Sequence, residues 1–465
     1  MKYDYDLIVI GTGPSGQRAA IAAARFDKKV AIIDKRDVVG GVCINTGTIP
    51  SKTIREAVIK LTGVTERVFY GASYRVKEKI TADDLLARVQ KVVKREINIT
   101  KTLLRKDNIE VLYGAAAFAD PHAILLTGSR GTMTISADKI IIAVGTIPYH
   151  PEDLVKIDNK YALDSDSILQ LPAIPGSLIV VGGGVIGLEY ASIFATLGVE
   201  VTVVDHNKRL LPFVDTEIVD SLIQQMRENR AVFRLQEDVE SVEIRPEEPS
   251  PVTVNLKSQK VLKGDMALLS FGRRGATDSL NLQAAGIKVI DKGLLAVNAH
   301  YQTEVENIYA VGDVIGFPAL ASTSMEQGRQ AAHHAFNHEG TKLPEIFPYG
   351  LYSIPEISYV GATEDELTRQ AVPYEIGIAR YRETARGQIL GDFTGMLKLI
   401  VHRETNKLLG VHAIGTGATE LIHIGQAVIA LNGTINYLVD SVFNYPTLAE
   451  CYKIAALDVY NKLHR

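Results

Sequence analysis

The stretch "LIVIGTGPSGQRAAIAAARFDKKVAIID", residues 7–34, decides how this chain is organised, because the chain contains it twice. Residues 178–205 read "LIVVGGGVIGLEYASIFATLGVEVTVVD" and align on it without a gap. Each copy is an apolar run, a G-x-G-x-x-G turn, an alanine-rich or apolar stretch of helical character, and a β-branched run ending in aspartate. That pattern predicts strand, turn, helix and strand. The glycines are Gly11, Gly13 and Gly16 in the first copy and Gly182, Gly184 and Gly187 in the second; Asp34 and Asp205 close the units. The spacing has a physical cause. One glycine permits the tight turn, the next lets backbone approach a pyrophosphate, and the third lets helix pack on strand. The unpaired N–H groups and dipole of the helix N-terminus then stabilise the diphosphate, and the closing carboxylate accepts hydrogen bonds from a ribose hydroxyl pair. A single glycine-rich turn is weak support. Two in matched context, each with its acid about 20 residues on, predict two dinucleotide sites.

The remainder of the chain fits that frame. Its 465 residues exceed one ordinary core and suggest about three domains. With 46% hydrophobic and 22% charged residues and a net charge of −4, no basic field favours nucleic acid or an anionic membrane, and small-molecule partners are expected. Two cysteines, Cys43 and Cys451, cannot build a disulfide framework and fit a reducing cytoplasm. The opening "MKYDYDLIVIGTG" has no basic segment ahead of its buried strand, so a cleaved signal peptide is not expected. The apolar run from Leu178 is interrupted by three glycines and Glu189, which argues against a membrane span. No H-x-x-x-H helix pair carries a glutamate, so no metal site is expected. Residues 81–108 read as helix, 109–128 as short strands, and "KIIIAVGTIP" as a buried strand running to Gly145. Residues 231–274 read as a small meander with an exposed loop from Pro246, and "NIYAVGDV" as a buried strand leading through Gly312 and Asp313 into a helix.

Over essentially its full length the chain resembles the flavoprotein disulfide reductases, the family of glutathione reductase and lipoamide dehydrogenase. The matching motifs are the first G-x-G-x-x-G, "GGVCINTGTIPSK" with Gly41, Cys43, Thr48 and Lys52, "AVGTIP", "VVGGGVIGLEYA", "SFGRR" with Gly272 and Arg273, "YAVGDV" and "FNYPTLAE". The resemblance implies an α/β fold with two Rossmann-like dinucleotide-binding units, one for FAD and one for NAD(H) or NADP(H), plus an α+β C-terminal dimerisation domain. The expected segments are 1–148 for FAD, 149–270 for NAD(P), 271–341 returning to the FAD and central region, and 342–465 for the interface of a homodimer or higher homo-oligomer. By the same resemblance Asp313 would bond the ribityl chain. Lys52 would lie by flavin N5, paired with Glu189, where a cation stabilises negative charge developing on the flavin. Cys43 would pack on the flavin as a small apolar residue.

Two departures from the family carry the functional reading. Its disulfide-reducing members have two cysteines five positions apart; here the positions hold Cys43 and Thr48, and a hydroxyl forms no disulfide. They also carry His-Pro-Thr-x-x-Glu; here the histidine position is Tyr445, and a phenol is a poorer general base than an imidazole at neutral pH. With the dithiol route gone, hydride delivered to flavin by one nicotinamide nucleotide has a second nucleotide as its simplest acceptor. The pattern is similar to the soluble, FAD-dependent pyridine nucleotide transhydrogenases, which implies reversible ping-pong transfer from NADPH to NAD⁺. Two other readings stay open: an NAD(P)H oxidase or diaphorase passing electrons to oxygen or a quinone, and a flavin-bearing redox sensor without turnover. Nucleotide choice rests on Asp205 and "DHNKRLL". A carboxylate there favours NAD(H), and His206, Lys208 and Arg209 would offset its repulsion of a 2′-phosphate if Asp205 swung away.

Overall fold

The structure, a computed structural model, describes residues 3–71, 73–151, 154, 157–340 and 344–464. The chain divides into two compact units. One comprises Met1–Thr53, Leu86–His150 and Phe271–Leu343; the other comprises Ile54–Leu85, Pro151–Ser270 and Pro344–Arg465. Segments distant in sequence thus share a unit, and the boundary expected at residues 341–342 lies outside the described residues.

In the first unit the strands run in the order Glu110–Tyr113, Val30–Asp34, Tyr5–Ile10, Gly131–Ile142, Ala123–Gly128 and Ala115–Asp120, with Ile308–Ala310 beside Gly131–Ile142. The pairings around Tyr5–Ile10 are parallel, with Leu7 opposite Val30 and Lys139. Leu7, Ile8 and Val9 are fully buried; Leu7 and Val9 pack with helical residues such as Ala19 and Ala331, and Ile8 with residues of the outer strands such as Phe118 and Ile124, so both faces of the sheet are covered. The turn and helix Pro14–Ala24 follow Tyr5–Ile10 as the motif predicts. The long strand Gly131–Ile142 turns half its length antiparallel, carrying the outer strands. Ile308–Ala310 then feeds a short 3-10 turn, Gly312–Ile315, and the helix Ala321–Ala335.

In the second unit the repeated motif builds a five-stranded parallel sheet in the order Val232–Leu235, Glu200–Asp205, Ser177–Val181, Met266–Leu269 and Ala162–Leu163. The helix Val185–Leu197 crosses between Ser177–Val181 and Glu200–Asp205. The meander expected over residues 231–274 is smaller than its strands suggested. Only Val239–Ile244, Val252–Leu256 and Val261–Gly264 form the antiparallel sheet, while the flanking strands join the parallel one. Met266–Leu269 has four consecutive buried apolar residues, which suits a central parallel strand and not an alternating meander strand. The C-terminal part adds an antiparallel sheet ordered Tyr349–Leu351, Ile357–Gly361, Leu408–Ile414, Met396–His402 and Tyr374–Arg380. Cys451 and Tyr452, on the helix Glu450–Leu463, are fully buried in the core beside it.

Candidate active site

Both glycine turns have the geometry the spacing calls for. Gly11 and Gly182 adopt φ of +113° and +98°, and a Cβ there would lie 2.2 Å from the Ala143 carbonyl oxygen and 2.4 Å from that of Ser270. A Cβ at Gly16 or Gly187 would lie 1.9 Å from the carbonyl oxygen of Gly11 or Gly182, so helix and strand approach as only glycine allows. A Cβ at Gly13 or Gly184 would meet no protein atom within 4 Å. Those two glycines are the helix N-caps; neither helix has a side-chain cap or an acid in its first turn. The N-terminal dipoles therefore face open space with no carboxylate competing for an anion, as a diphosphate requires.

The closing acids are anchored alike. Asp34 accepts from the Thr12 hydroxyl through one oxygen and from the Arg36 N–H at 3.0 Å through the other. Asp205 accepts from the Gly183 N–H at 2.6 Å and the Asn207 N–H at 2.7 Å. The two acids are 6% and 8% exposed. In this structure two backbone donors and burial hold the Asp205 carboxylate in place. Arg209 is not directed at that carboxylate: its Nη1 donates to Asp365 at 2.6 Å and its Nη2 to the Val214 carbonyl at 3.3 Å.

Around the first turn, distant segments converge. The Gly40 N–H donates to the Thr12 hydroxyl at 2.9 Å, and Gly41 sits so close to Gly13 that a Cβ would lie 2.7 Å from its Cα. Gly312 and Gly328 close on Ser15, with a Cβ of Gly328 falling 2.0 Å from the Ser15 carbonyl oxygen. The Gly312 N–H donates to Gln327 at 2.9 Å, and the Ser324 hydroxyl to Asp313 at 3.4 Å. Burial pushes the Asp313 carboxyl up, partly offset by Arg273, Ser324 and Thr146. Arg273 itself donates to the hydroxyl and the carbonyl of Thr146, each at 2.8 Å. Thr146 follows Gly145, where a Cβ would again meet nothing within 4 Å; the same holds at Gly272.

Cys43 lies on the short helix Gly41–Asn45, and Thr48 opens the helix Thr48–Thr62 that carries Lys52 in its first turns. Burial pushes the Cys43 thiol up; a hydrogen bond with Thr48 pulls it back, Asp313 pushes it further, Lys52 lowers it, and the net shift is upward. The Thr48 hydroxyl thus stands where a second thiol would have to be.

Glu189, in the other unit, is 5% exposed on the helix Val185–Leu197, and its Oε1 accepts from the Tyr352 N–H at 2.8 Å. Tyr445 is 74% exposed.

The residues fit the two groups the motifs imply. Beyond the open glycine cradles, two buried hydroxyls, Thr46 Oγ1 and Ser270 Oγ, find no hydrogen-bond partner among the described residues. Thr46 lies between Cys43 and Thr48, and Ser270 is the residue whose carbonyl faces Gly182. A buried hydroxyl without a partner costs about 1–3 kcal/mol, which a bound ligand removes. Sequence reasoning missed both, along with Thr12, Thr146, Ser324 and Gln327. Only Thr12 had a sequence signal: it occupies the first x of G-x-G, where the second copy has Gly183.

No helix among the described residues is long and apolar enough to cross a membrane. Residues 5–328 match the family model described as pyridine nucleotide-disulphide oxidoreductase, and residues 347–456 match its dimerisation domain. Among curated relatives, a soluble pyridine nucleotide transhydrogenase of Mycobacterium bovis is 52% identical over 99% of this chain and 98% of its own. One of Colwellia psychrerythraea is 44% identical over 99% of both. Among solved structures, the HOCl-induced flavoprotein disulfide reductase RclA from Escherichia coli superposes with a TM-score of 0.88 at 27% identity, covering 97% of this chain and 99% of the other. With its two nucleotide turns, its anchored acids and these matches, the chain belongs to the pyridine nucleotide-disulphide oxidoreductase family.

Proposed function

We propose that this protein is an FAD-dependent pyridine nucleotide transhydrogenase that catalyses NADPH + NAD⁺ = NADP⁺ + NADH reversibly, the two nucleotides using one site in turn. The observation that carries this reading is the pair Cys43 and Thr48, a single thiol, its pKa pushed up by burial, beside a hydroxyl where a disulfide would need a second thiol. The relatives named for this reaction match over the whole chain. FAD supplies a two-electron hydride relay when bound.

The protein's own contribution is binding and electrostatics. In the first unit Gly11, Gly13, Gly16 and Asp34 would hold the FAD diphosphate and ribose, with Gly41, Cys43, Thr48, Gly145, Gly272, Arg273, Gly312 and Asp313 lining the rest. Lys52 would place positive charge where electron density accumulates, and Glu189 is proposed as the second catalytic residue. In the second unit Gly182, Gly184, Gly187 and Asp205 would hold the nicotinamide nucleotide. Segments 1–148 and 271–341 would form the FAD-binding part, 149–270 the nucleotide-binding part, and 342–465 the interface of a cytoplasmic homodimer. Donor and acceptor are chemically alike, so mass action sets the direction.

The deciding experiment mixes the purified holoprotein anaerobically with NADPH and a thio-analogue of NAD⁺, with lipoamide and glutathione disulfide as parallel acceptors. Rapid transfer to the analogue with no disulfide reduction is expected. Disulfide turnover at a comparable rate, or none with the analogue, would overturn the reading.

A further inference from the structure

The segment that follows Asp205 carries three cationic or titratable side chains, His206, Lys208 and Arg209; a nucleotide bound with its ribose on Asp205 would bring its 2′-substituent toward this segment. The fold treats them differently. His206 is 71% exposed with Nδ1 3.8 Å from the Asp205 carboxylate, and Lys208 is exposed. Arg209 instead donates to Asp365, on the short helix Glu364–Arg369, and to the Val214 carbonyl.

Asp365 is held in place independently of that contact. It sits in the first turn of a helix closed by a reciprocal capping box, the Thr363 hydroxyl accepting from the Glu366 N–H and the Glu366 carboxylate from the Thr363 N–H. The Thr216 hydroxyl donates to the same Asp365 oxygen at 3.2 Å. The Arg209 guanidinium holds the Asp365 carboxyl below the usual carboxylate range. Nearby carboxylates are otherwise engaged: Asp215, Glu217 and Glu364 all meet the buried Lys398 ammonium. Asp365 is thus the carboxylate that takes Arg209.

The segment itself reaches the site. The next residue, Leu210, packs so tightly on the glycine turn that a Cβ at Gly183 would lie 2.4 Å from its Cδ2. Arg209 thus adjoins a residue that touches the glycine turn, while its guanidinium is engaged by Asp365 and the Val214 carbonyl. A free guanidinium there would offer a 2′-phosphate a forked, charge-assisted contact; engaged through Nη1 by Asp365 and through Nη2 by Val214, it has fewer donors and less net charge to offer.

We propose that Asp365 is a specificity-determining residue outside the nucleotide site: by sequestering Arg209 it lowers the preference for 2′-phosphorylated nucleotides and keeps NAD(H) and NADP(H) comparable at one site. This rests on the reading of the second glycine turn as the nicotinamide nucleotide site. A transhydrogenase must bind and release both nucleotides, and a free arginine beside Asp205 would bias it toward one.

The test is calorimetric binding of 2′,5′-ADP and of ADP to the holoprotein, with stopped-flow reduction of the flavin by NADPH and by NADH alongside. Asp365→Asn is expected to raise the 2′,5′-ADP to ADP affinity ratio about tenfold, roughly the worth of one charge-assisted phosphate contact. Arg209→Gln is expected to leave the ratio near wild type, and the double variant to lose the gain. If the ion pair only braces the loop, Asp365→Asn and Arg209→Gln will shift both nucleotides alike and in the same direction, and the proposal fails. An unchanged ratio in Asp365→Asn also overturns it, leaving the site intact. If neither nucleotide binds the wild type, the site reading itself falls and the proposal with it.

Discussion

At the scale of single residues, the informative position is Cys43. Its neighbourhood opposes ionisation: burial and Asp313 raise the thiol's pKa by more than Thr48 and Lys52 lower it. A raised pKa means a smaller thiolate fraction at any pH below it, and thiolate is the nucleophile. Alkylation of native protein by iodoacetamide is therefore expected to be slower at Cys43 than at an ordinary free thiol at pH 8, and to reach its plateau only at more alkaline pH. Thr48→Val removes a contact that favours the charged form and is expected to slow the reaction further; mass-spectrometric rates across pH check both. Fast labelling at pH 7 would instead mean a stabilised thiolate and a redox role. Cys451, whose thiol burial pushes up to about 12, is expected to label only on unfolding. The meaning of Thr48 was legible in the sequence because a missing cysteine needs no coordinates. Arg209 was not, since Asp365 lies far along the chain and nothing local marks the pair.

At the scale of elements, the helix Ala321–Ala335 and the helix Pro14–Ala24 meet at Gly328 and Ser15 closely enough that one methyl group has no room. Gly328→Ala is expected to force them apart and to cost about 1–3 kcal/mol through overpacking. Because Gly312, Asp313 and Ser324 all follow from that approach, flavin retention should fall together with the melting temperature. Gel filtration with absorbance at flavin wavelengths, beside a thermal melt, separates this from simple destabilisation, which would leave retention at low temperature unchanged. The two repeated units were legible because periodicity and glycine spacing are local. The strands Val232–Leu235 and Met266–Leu269 were harder to place, because four-residue runs carry no record of their partners. The Lys398 cluster was invisible for the same reason. Its ammonium is 1% exposed, and the carboxylates that meet it come from residues 215, 217 and 364. Removing the ammonium would leave the buried Asp215 carboxylate without its cation, at a cost of about 3–5 kcal/mol, yet the sequence shows only a lysine inside an apolar strand.

At the scale of the whole molecule, the C-terminal part leaves large apolar side chains in water: Leu431 at 82%, Tyr437 at 61%, Val442 at 94% and Tyr445 at 74% exposure. They cluster along residues 431–445, in the segment matched by a dimerisation-domain model. Exposed apolar groups gathered in this way mark an association surface. Sedimentation velocity is expected to give a dimer for the native protein, and Val442→Asp, by placing a charge where water should be excluded, to shift it toward monomer. A Val442→Asp variant that sediments as the native dimer does across a dilution series would place the interface elsewhere.

The two glycine turns differ in one atom pair, and that difference bears on how each site can change over time. In the first, the acid is tied to its turn by the Thr12 hydroxyl, a side chain that substitution can alter. In the second, the tie is the Gly183 N–H, which no codon removes except one for proline, and a Cβ there would press on the Leu210 Cδ2 at 2.4 Å. If the first turn holds the resident cofactor and the second the exchanging nucleotides, as proposed, the former is open to gradual retuning, while the latter is tied through its main chain and drift in nucleotide choice would come from side chains farther out.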